Sequence, residues 1–136
     1  MGLNKKTSVV YYKNNRNNIL EGCKIAILGY GSQGRAQALN LRDSGYDVVI
    51  GNLEDGYAKQ ARNDGFIVSN FHLAVIDSDV IFLLLPDHAH KDVYENSIKK
   101  YIKKGSMLLV AHGYSINFDD LKVGNNHDLC LLAPRM

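Results

Sequence analysis

Short apolar runs alternate along the chain with helical segments. Residues 24–28, 47–50, 66–69, 80–85, 107–111 and 129–132 are strand-like. Two of them, Val48-Val49-Ile50 and the run 80–85, carry apolar residues with little alternation, the pattern of parallel strands covered on both faces. Residues 32–43, 57–63, 72–76 and 90–101 lie between these runs and are predicted as crossover helices. A shorter polar segment at 117–122 would place Asp119 and Asp120 in a first helical turn, and a single turn or an irregular crossover serves equally there. Asp43-Ser44-Gly45, Asp55-Gly56 and Asp64-Gly65 separate the elements with turn chemistry. This alternation predicts an α/β fold, a doubly wound parallel sheet with helices on both faces and strand order 3-2-1-4-5-6.

Residues 1–22 lack a sustained period and contain the polar stretch Asn14-Asn15-Arg16-Asn17-Asn18, so they read as an N-terminal arm before a single domain at 23–136. Val9 to Tyr12 would suit a short added strand or an aromatic contact. A length of 136 residues with 46% hydrophobic content supports one domain with a core of its own. The formal charge of +2, from 16 basic and 14 acidic residues, gives no electrostatic case for nucleic acid or an anionic membrane as partner. The longest apolar runs are too short to span a bilayer, and no apolar signal core opens the chain. Cys23 and Cys130 are far apart and read as reduced thiols, so the expected compartment is the cytoplasm.

The chemistry concentrates where the first strand-like run ends. Gly29-Tyr30-Gly31-Ser32-Gln33-Gly34 is a Gly-x-Gly-x-x-Gly sequence between a strand and a helix, the context in which that motif binds a dinucleotide in a Rossmann sheet. Gly29 permits the tight turn, Gly31 the approach of backbone N–H groups to a pyrophosphate, and Gly34 close packing of helix on strand. The anion would lie at the positive end of the helix dipole, with the amides and the Ser32 hydroxyl as donors. In the loop after the second strand, Asn52 and Glu54 fall where such a domain addresses the adenosine ribose. A carboxylate at position 54 would accept from both ribose hydroxyls and repel a 2′-phosphate. That favours NAD(H) over NADP(H). The alternative is an ordinary solvated turn at Glu54-Asp55, with Lys59 or Arg62 reaching back to a phosphate.

The glycine motif with its continuation to Gly45, then Leu83-Leu84-Leu85-Pro86-Asp87, Ala111-His112-Gly113-Tyr114-Ser115-Ile116 and Ala133-Pro134, resembles the N-terminal domain of ketol-acid reductoisomerase in order and spacing. The resemblance runs from Val10 to the end of the chain. It implies a part in magnesium-dependent alkyl migration within a 2-aceto-2-hydroxy acid and hydride reduction of the product, in branched-chain amino-acid synthesis. It implies contact of Leu85, Pro86 and Asp87 with the nicotinamide half of the cofactor, and a catalytic place for His112, whose imidazole could donate, accept or relay a proton. Arg135 occupies the position of a family lysine, where it keeps the charge but is a poor proton donor; it is a site candidate that could hold an anionic group, or else a plain surface arginine. The family draws its Mg2+ ligands largely from a following helical domain, and Asp119-Asp120 is a weak substitute, so no metal ligand is assigned here. The expectation is a cofactor-binding chain that needs a helical domain, or a second polypeptide, to complete the reaction, with a homo-oligomer open. A free-standing dinucleotide-binding or redox-sensing module is the alternative.

The other histidines and charges read as structural. His88 and His90 stand two apart after Pro86 and would serve a metal only if a loop turned both rings inward. His72 and His127 have no partner evident in sequence. Lys99-Lys100 and Lys103-Lys104 fit a solvated helix end.

Overall fold

A computed structural model of the chain describes residues 18–118 and 121–133. The possible strand at Val9 to Tyr12, the Asp119-Asp120 pair and Arg135 lie outside the described residues. Of the N-terminal arm, Asn18 to Gly22 form a turn in which the Glu21 N–H donates to the Asn18 carbonyl at 3.0 Å, and the Tyr46 hydroxyl donates to the Asn18 side chain at 2.9 Å.

Six strands form one parallel sheet: β1 (Lys24–Leu28), β2 (Asp47–Gly51), β3 (Ile67–Ser69), β4 (Val80–Leu83), β5 (Met107–Val110) and β6 (Asp128–Leu131). Their spatial order is β3-β2-β1-β4-β5-β6, as the alternation predicts, and every pairing is parallel. Side chains of β1 project alternately. Ile25 and Ile27 enter one core with Tyr30, Ala38, Ala61 and Phe66, while Ala26 and Leu28 enter the other with Phe71, Val75, Tyr94 and Ile98. Helices α1 (Ser32–Asp43) and α2 (Gly56–Asn63) thus cover one face, and α3 (Phe71–Val75) and α4 (Asp87–Val93) with its continuation cover the other.

Several boundaries differ from the sequence reading. The fourth strand ends at Leu83, two residues early, although the Leu84 N–H still donates to the Leu28 carbonyl at 2.9 Å; Pro86 has no N–H with which to extend the ladder. The helix expected at 90–101 begins at Asp87 and widens into a π-helical turn, Tyr94–Ile98, in which the Lys99 N–H reaches back to the Tyr94 carbonyl at 2.8 Å. Tyr94 and Ile98 both face the core there. Before the segment at 117–122, which lies partly outside the described residues, stands a short helix that the sequence reading did not expect, α5 (Tyr114–Asn117). It starts directly after Gly113, where Ser115 is buried and the Tyr114 and Phe118 rings pack 4.7 Å apart. Among the described residues no helix is long and apolar enough to cross a membrane.

Candidate functional site

The connection from β1 to α1 is shaped by two glycines whose neighbours leave no room for a side chain. Gly29 has φ +94, and a Cβ on it would lie 2.8 Å from the Leu84 carbonyl oxygen. A Cβ on Gly34 would lie 2.0 Å from the Gly29 carbonyl oxygen, so the first turn of α1 rests directly on the end of β1. Gly31 differs. Nothing lies within 4 Å of a Cβ built there, and its open side is the cleft.

That cleft runs along the carboxyl ends of β1, β2, β4 and β5, astride the point between β1 and β4 where the strand order reverses. Its volume is about 650 Å³, within the ordinary range for a small-molecule site. Gly29, Tyr30, Gly31, Ser32 and Gln33 form one wall; Leu85, Pro86, Asp87 and His112 form part of another. A smaller cavity of about 370 Å³ continues between α1 and α2, lined by Ser32, Arg35, Tyr57 and Gln60 among others.

The start of α1 faces this space without a side-chain cap or an acidic residue in its first turn. By contrast, Asp55 caps α2 through the amides of Tyr57 and Ala58, and Asn70 caps α3 through that of Leu73. The first amides of α1 have no partners within the helix, and their residues Ser32 and Gln33 line the cleft, the arrangement in which an anion is held by backbone donors and the helix dipole. The open face of Gly31 lets a phosphate reach them. These residues fit a dinucleotide.

Around the second strand the polar side chains hold one another. Asn52 lines the cleft, but its Oδ1 accepts the Tyr30 N–H at 3.1 Å, and its Nδ2 donates to the Leu53 carbonyl and to Asp55 Oδ1, each at 2.9 Å. It clamps the glycine turn to the loop after β2. Tyr30 likewise turns its hydroxyl away, donating to Asp64 at 2.9 Å. Its ring is 1% exposed and packs edge-on against Phe66. Burial, with the Asp64 hydrogen bond and charge, pushes the Tyr30 hydroxyl up to about 12. Arg35 completes the cluster with bonds of 2.8 and 3.2 Å to Asp64. The Arg35 and Tyr30 hydrogen bonds hold the Asp64 carboxyl below its usual range.

Glu54 stands apart from the cleft lining, with both oxygens engaged by Arg62 at 2.5 and 2.8 Å. The expected ribose reader is therefore paired with one of the two cations that the sequence reading set against it. The hydrogen bonds from Arg62 also lower the Glu54 pKa. Leu53 and Asp55, its neighbours, do line the cleft.

On the other side of the switch point, His112 is exposed at the rim, with Nδ1 3.3 Å from Asp87 Oδ2 and 3.4 Å from the Tyr114 amide nitrogen. The same nitrogen can donate to the carboxylate when protonated, or accept from the amide when not, but cannot do both. His90, read in sequence as structural, is 2% exposed and bonded through both ring nitrogens, to the Leu85 carbonyl and to Ser115 Oγ, each at 2.8 Å. Sequence reasoning missed the roles of Asp55, Asp64, His90 and Ser115. Asp55 had a legible signal, a carboxylate immediately before a helix; Asp64, and the His90–Ser115 pair, find side-chain partners 25 to 34 positions away, which no local pattern announces.

Among the described residues no group of three or more His, Cys, Asp and Glu side chains could hold a metal ion. Asp55 and Asp87, the carboxylates that line the cleft, sit at the starts of different helices, and Asp55 is committed to its cap. These residues do not fit a Mg2+ site.

A doubly wound sheet, a glycine turn opening onto an uncapped helix and a cleft at the switch point define a nicotinamide dinucleotide-binding domain of the Rossmann class. The family model for the acetohydroxy acid isomeroreductase NADPH-binding domain matches residues 19–136, and the chain belongs to that family. It is 40% identical over 128 residues to a protein from Methanosphaera stadtmanae named ketol-acid reductoisomerase (NADP(+)), covering 93% of this chain but 39% of that one. A solved NADH-preferring ketol-acid reductoisomerase from an uncultured archaeon superposes with a TM-score of 0.85 at 38% identity, over 88% of this chain and 38% of that one. A semialdehyde dehydrogenase NAD-binding protein from Cupriavidus necator shares the fold, with a TM-score of 0.71 at 22% identity over 79% of this chain and 39% of that one. The chain thus spans less than two fifths of the length of its ketol-acid reductoisomerase relatives.

Proposed function

We propose that this chain is the cofactor-binding part of a ketol-acid reductoisomerase and that it prefers NADH. The observation that carries the first part is the uncapped start of α1 beside the open face of Gly31, at the switch point of a sheet belonging to this family. When bound, the cofactor supplies the hydride that reduces the rearranged 2-aceto-2-hydroxy acid. The amides of Ser32 and Gln33 and the Ser32 hydroxyl hold its pyrophosphate, and Leu85, Pro86 and Asp87 flank the nicotinamide. His112 stands at the rim, where it can exchange a proton with the reacting oxygen while Asp87 orients its ring. Alkyl migration draws its Mg2+ and the matching carboxylates from a helical domain, carried by a longer chain or a second polypeptide. The free thiols Cys23 and Cys130 suit a reducing, cytoplasmic setting.

NADH preference follows from charge. Among the described residues no lysine or arginine lines the large cleft, while Asp55 lines it beside the second strand. Arg62, the cation on the neighbouring helix, is held by Glu54. A 2′-phosphate would meet the Asp55 carboxylate, and both neighbouring guanidiniums are occupied, Arg62 by Glu54 and Arg35, which lines the adjoining cavity, by Asp64. Parallel fluorescence titrations with NADH and NADPH test the proposal. NADH should bind more tightly, Gly31→Val should abolish binding, and Glu54→Gln, which frees Arg62 and removes a charge, should move the preference toward NADPH by about tenfold at low salt. Failure of the chain to bind either nucleotide would refute an autonomous cofactor site. Equal affinity for both would refute the charge argument alone.

A further inference from the structure

His90 stands at the edge of the cleft lining, almost wholly buried, and forms a link between its two loops on the β4 and β5 side. A carbonyl oxygen only accepts, so the 2.8 Å contact with Leu85 requires a proton on Nε2. In the neutral ring Nδ1 is then the acceptor, and Ser115, which is fully buried, donates its hydroxyl proton at 2.8 Å. One end of this chain of bonds holds Leu85, at the start of the Leu85-Pro86-Asp87 segment. The other holds α5, three residues after His112. The two loops meet again at the rim, where Asp87 faces His112 at 3.3 Å. Asp87 Oδ1 also lies 3.9 Å from His90 Nδ1. The loops come from different strands and share no β-ladder beyond Leu83 and Val110.

We infer that His90 is a positioning residue for the nicotinamide end of the site: the Leu85–His90–Ser115 clasp fixes the Leu85-Pro86-Asp87 wall against the His112 loop. The inference rests on the cofactor site proposed above and adds a division of labour to it. The adenosine and pyrophosphate contacts lie on α1 and the loop after β2, where Asn52 is the clamp. The nicotinamide contacts lie on the β4 and β5 loops, where His90 is. Loosening one clamp should leave the other half of the site intact.

The test compares two ligands of the full chain, NADH and ADP-ribose, which lacks the nicotinamide. His90→Leu removes both bonds at similar volume; His90→Gln can restore both, its amide NH2 donating to Leu85 and its carbonyl accepting from Ser115. His90→Leu should weaken NADH about tenfold while changing ADP-ribose less than about twofold, and His90→Gln should recover most of the loss. Should His90→Leu not fold, Ser115→Ala carries the same comparison. In long-range 15N–1H spectra His90 should show the Nε2-protonated neutral tautomer. Equal losses for the two ligands, no loss for either, or an Nδ1-protonated ring would each overturn the clasp. If the unsubstituted chain binds ADP-ribose but not NADH, the cofactor reading falls and the clasp with it, a result distinct from the others.

Discussion

Replacing Gly34 by alanine would ordinarily help a helix, since alanine is favoured over glycine by about 1 kcal/mol at interior positions. Here the added Cβ falls 2.0 Å from the Gly29 carbonyl oxygen and 3.0 Å from its carbon. Relief requires the Cβ–oxygen separation to grow by at least 1.0 Å, to the 3.0 Å below which such contacts are essentially never seen. Gly29 cannot retreat, because its N–H is bonded to the Gly51 carbonyl at 2.9 Å and its own α-carbon is crowded by Leu84 and Leu85. The start of α1 must move instead. Overpacking costs about 1–3 kcal/mol, and with backbone on both sides the upper end applies, so the net loss is about 2 kcal/mol after the gain in propensity. That corresponds to a fall of roughly 10 °C in Tm for a domain of this size. The displaced amides should also weaken NADH binding tenfold or more. Gly31→Ala is the control: its φ of -72 and the open space around it should keep stability within about 1 kcal/mol, while the Cβ obstructs the cofactor. Circular-dichroism melts and NADH titrations of both variants separate the two roles. A Gly34→Ala variant that melts at or above the parent temperature would refute the steric argument.

Three further outcomes follow from the polar clusters. Because Tyr30 is raised to about 12, its contribution to stability is fully present below the unfolded value near 10 and is lost as pH rises through about 12; the alkaline limb of the stability curve should flatten in Tyr30→Phe, as read by urea titrations across that range. Asp64 is depressed by Arg35 and Tyr30, and Asp79 by Lys103 and the Lys24 amide, so both stabilise above the ordinary carboxylate range and lose that effect as pH falls through their lowered values. Asp64→Asn should therefore reduce the acid sensitivity of folding, and unchanged sensitivity would show that the pair is screened. Asp55→Ala removes the α2 cap and a partner of Asn52; it should cost about 1 kcal/mol in denaturant titrations and weaken NADH binding, whereas a loss of stability alone would separate the cap from the site.

The sheet was readable because its signals are local. Each strand is a short, largely apolar run, and the parallel order β3-β2-β1-β4-β5-β6 follows from alternating strands and helices with right-handed crossovers. The first helix matched its expected limits, Ser32–Asp43, because a glycine turn opens it and Gly45 closes it. Later boundaries drifted. Leu84 and Leu85 look no different from the strand before them, yet β4 ends at Leu83, Leu84 keeps only its N–H bond to β1, and the Leu85 carbonyl turns to His90. The π-helical turn at Tyr94–Ile98 has no sequence mark, since it arises from how two side chains meet the core.

The candidate site divides along the same line. Sequence alone determined that Gly29, Gly31 and Gly34 stand between a strand and a helix, and steric exclusion at a fixed spacing is a property of the local chain. It also brought Leu85, Pro86, Asp87 and His112 to strand ends, because the order of elements dictates which loops share an edge. What each polar side chain does there was decided by tertiary structure. Tyr30 turns to Asp64, Glu54 to Arg62, Asn52 to the glycine turn, and His90 to Ser115. A buried or crowded polar atom takes whatever partner the packed elements bring within about 3 Å. Those partners are set by the arrangement of helices on the sheet, and sequence order does not contain them.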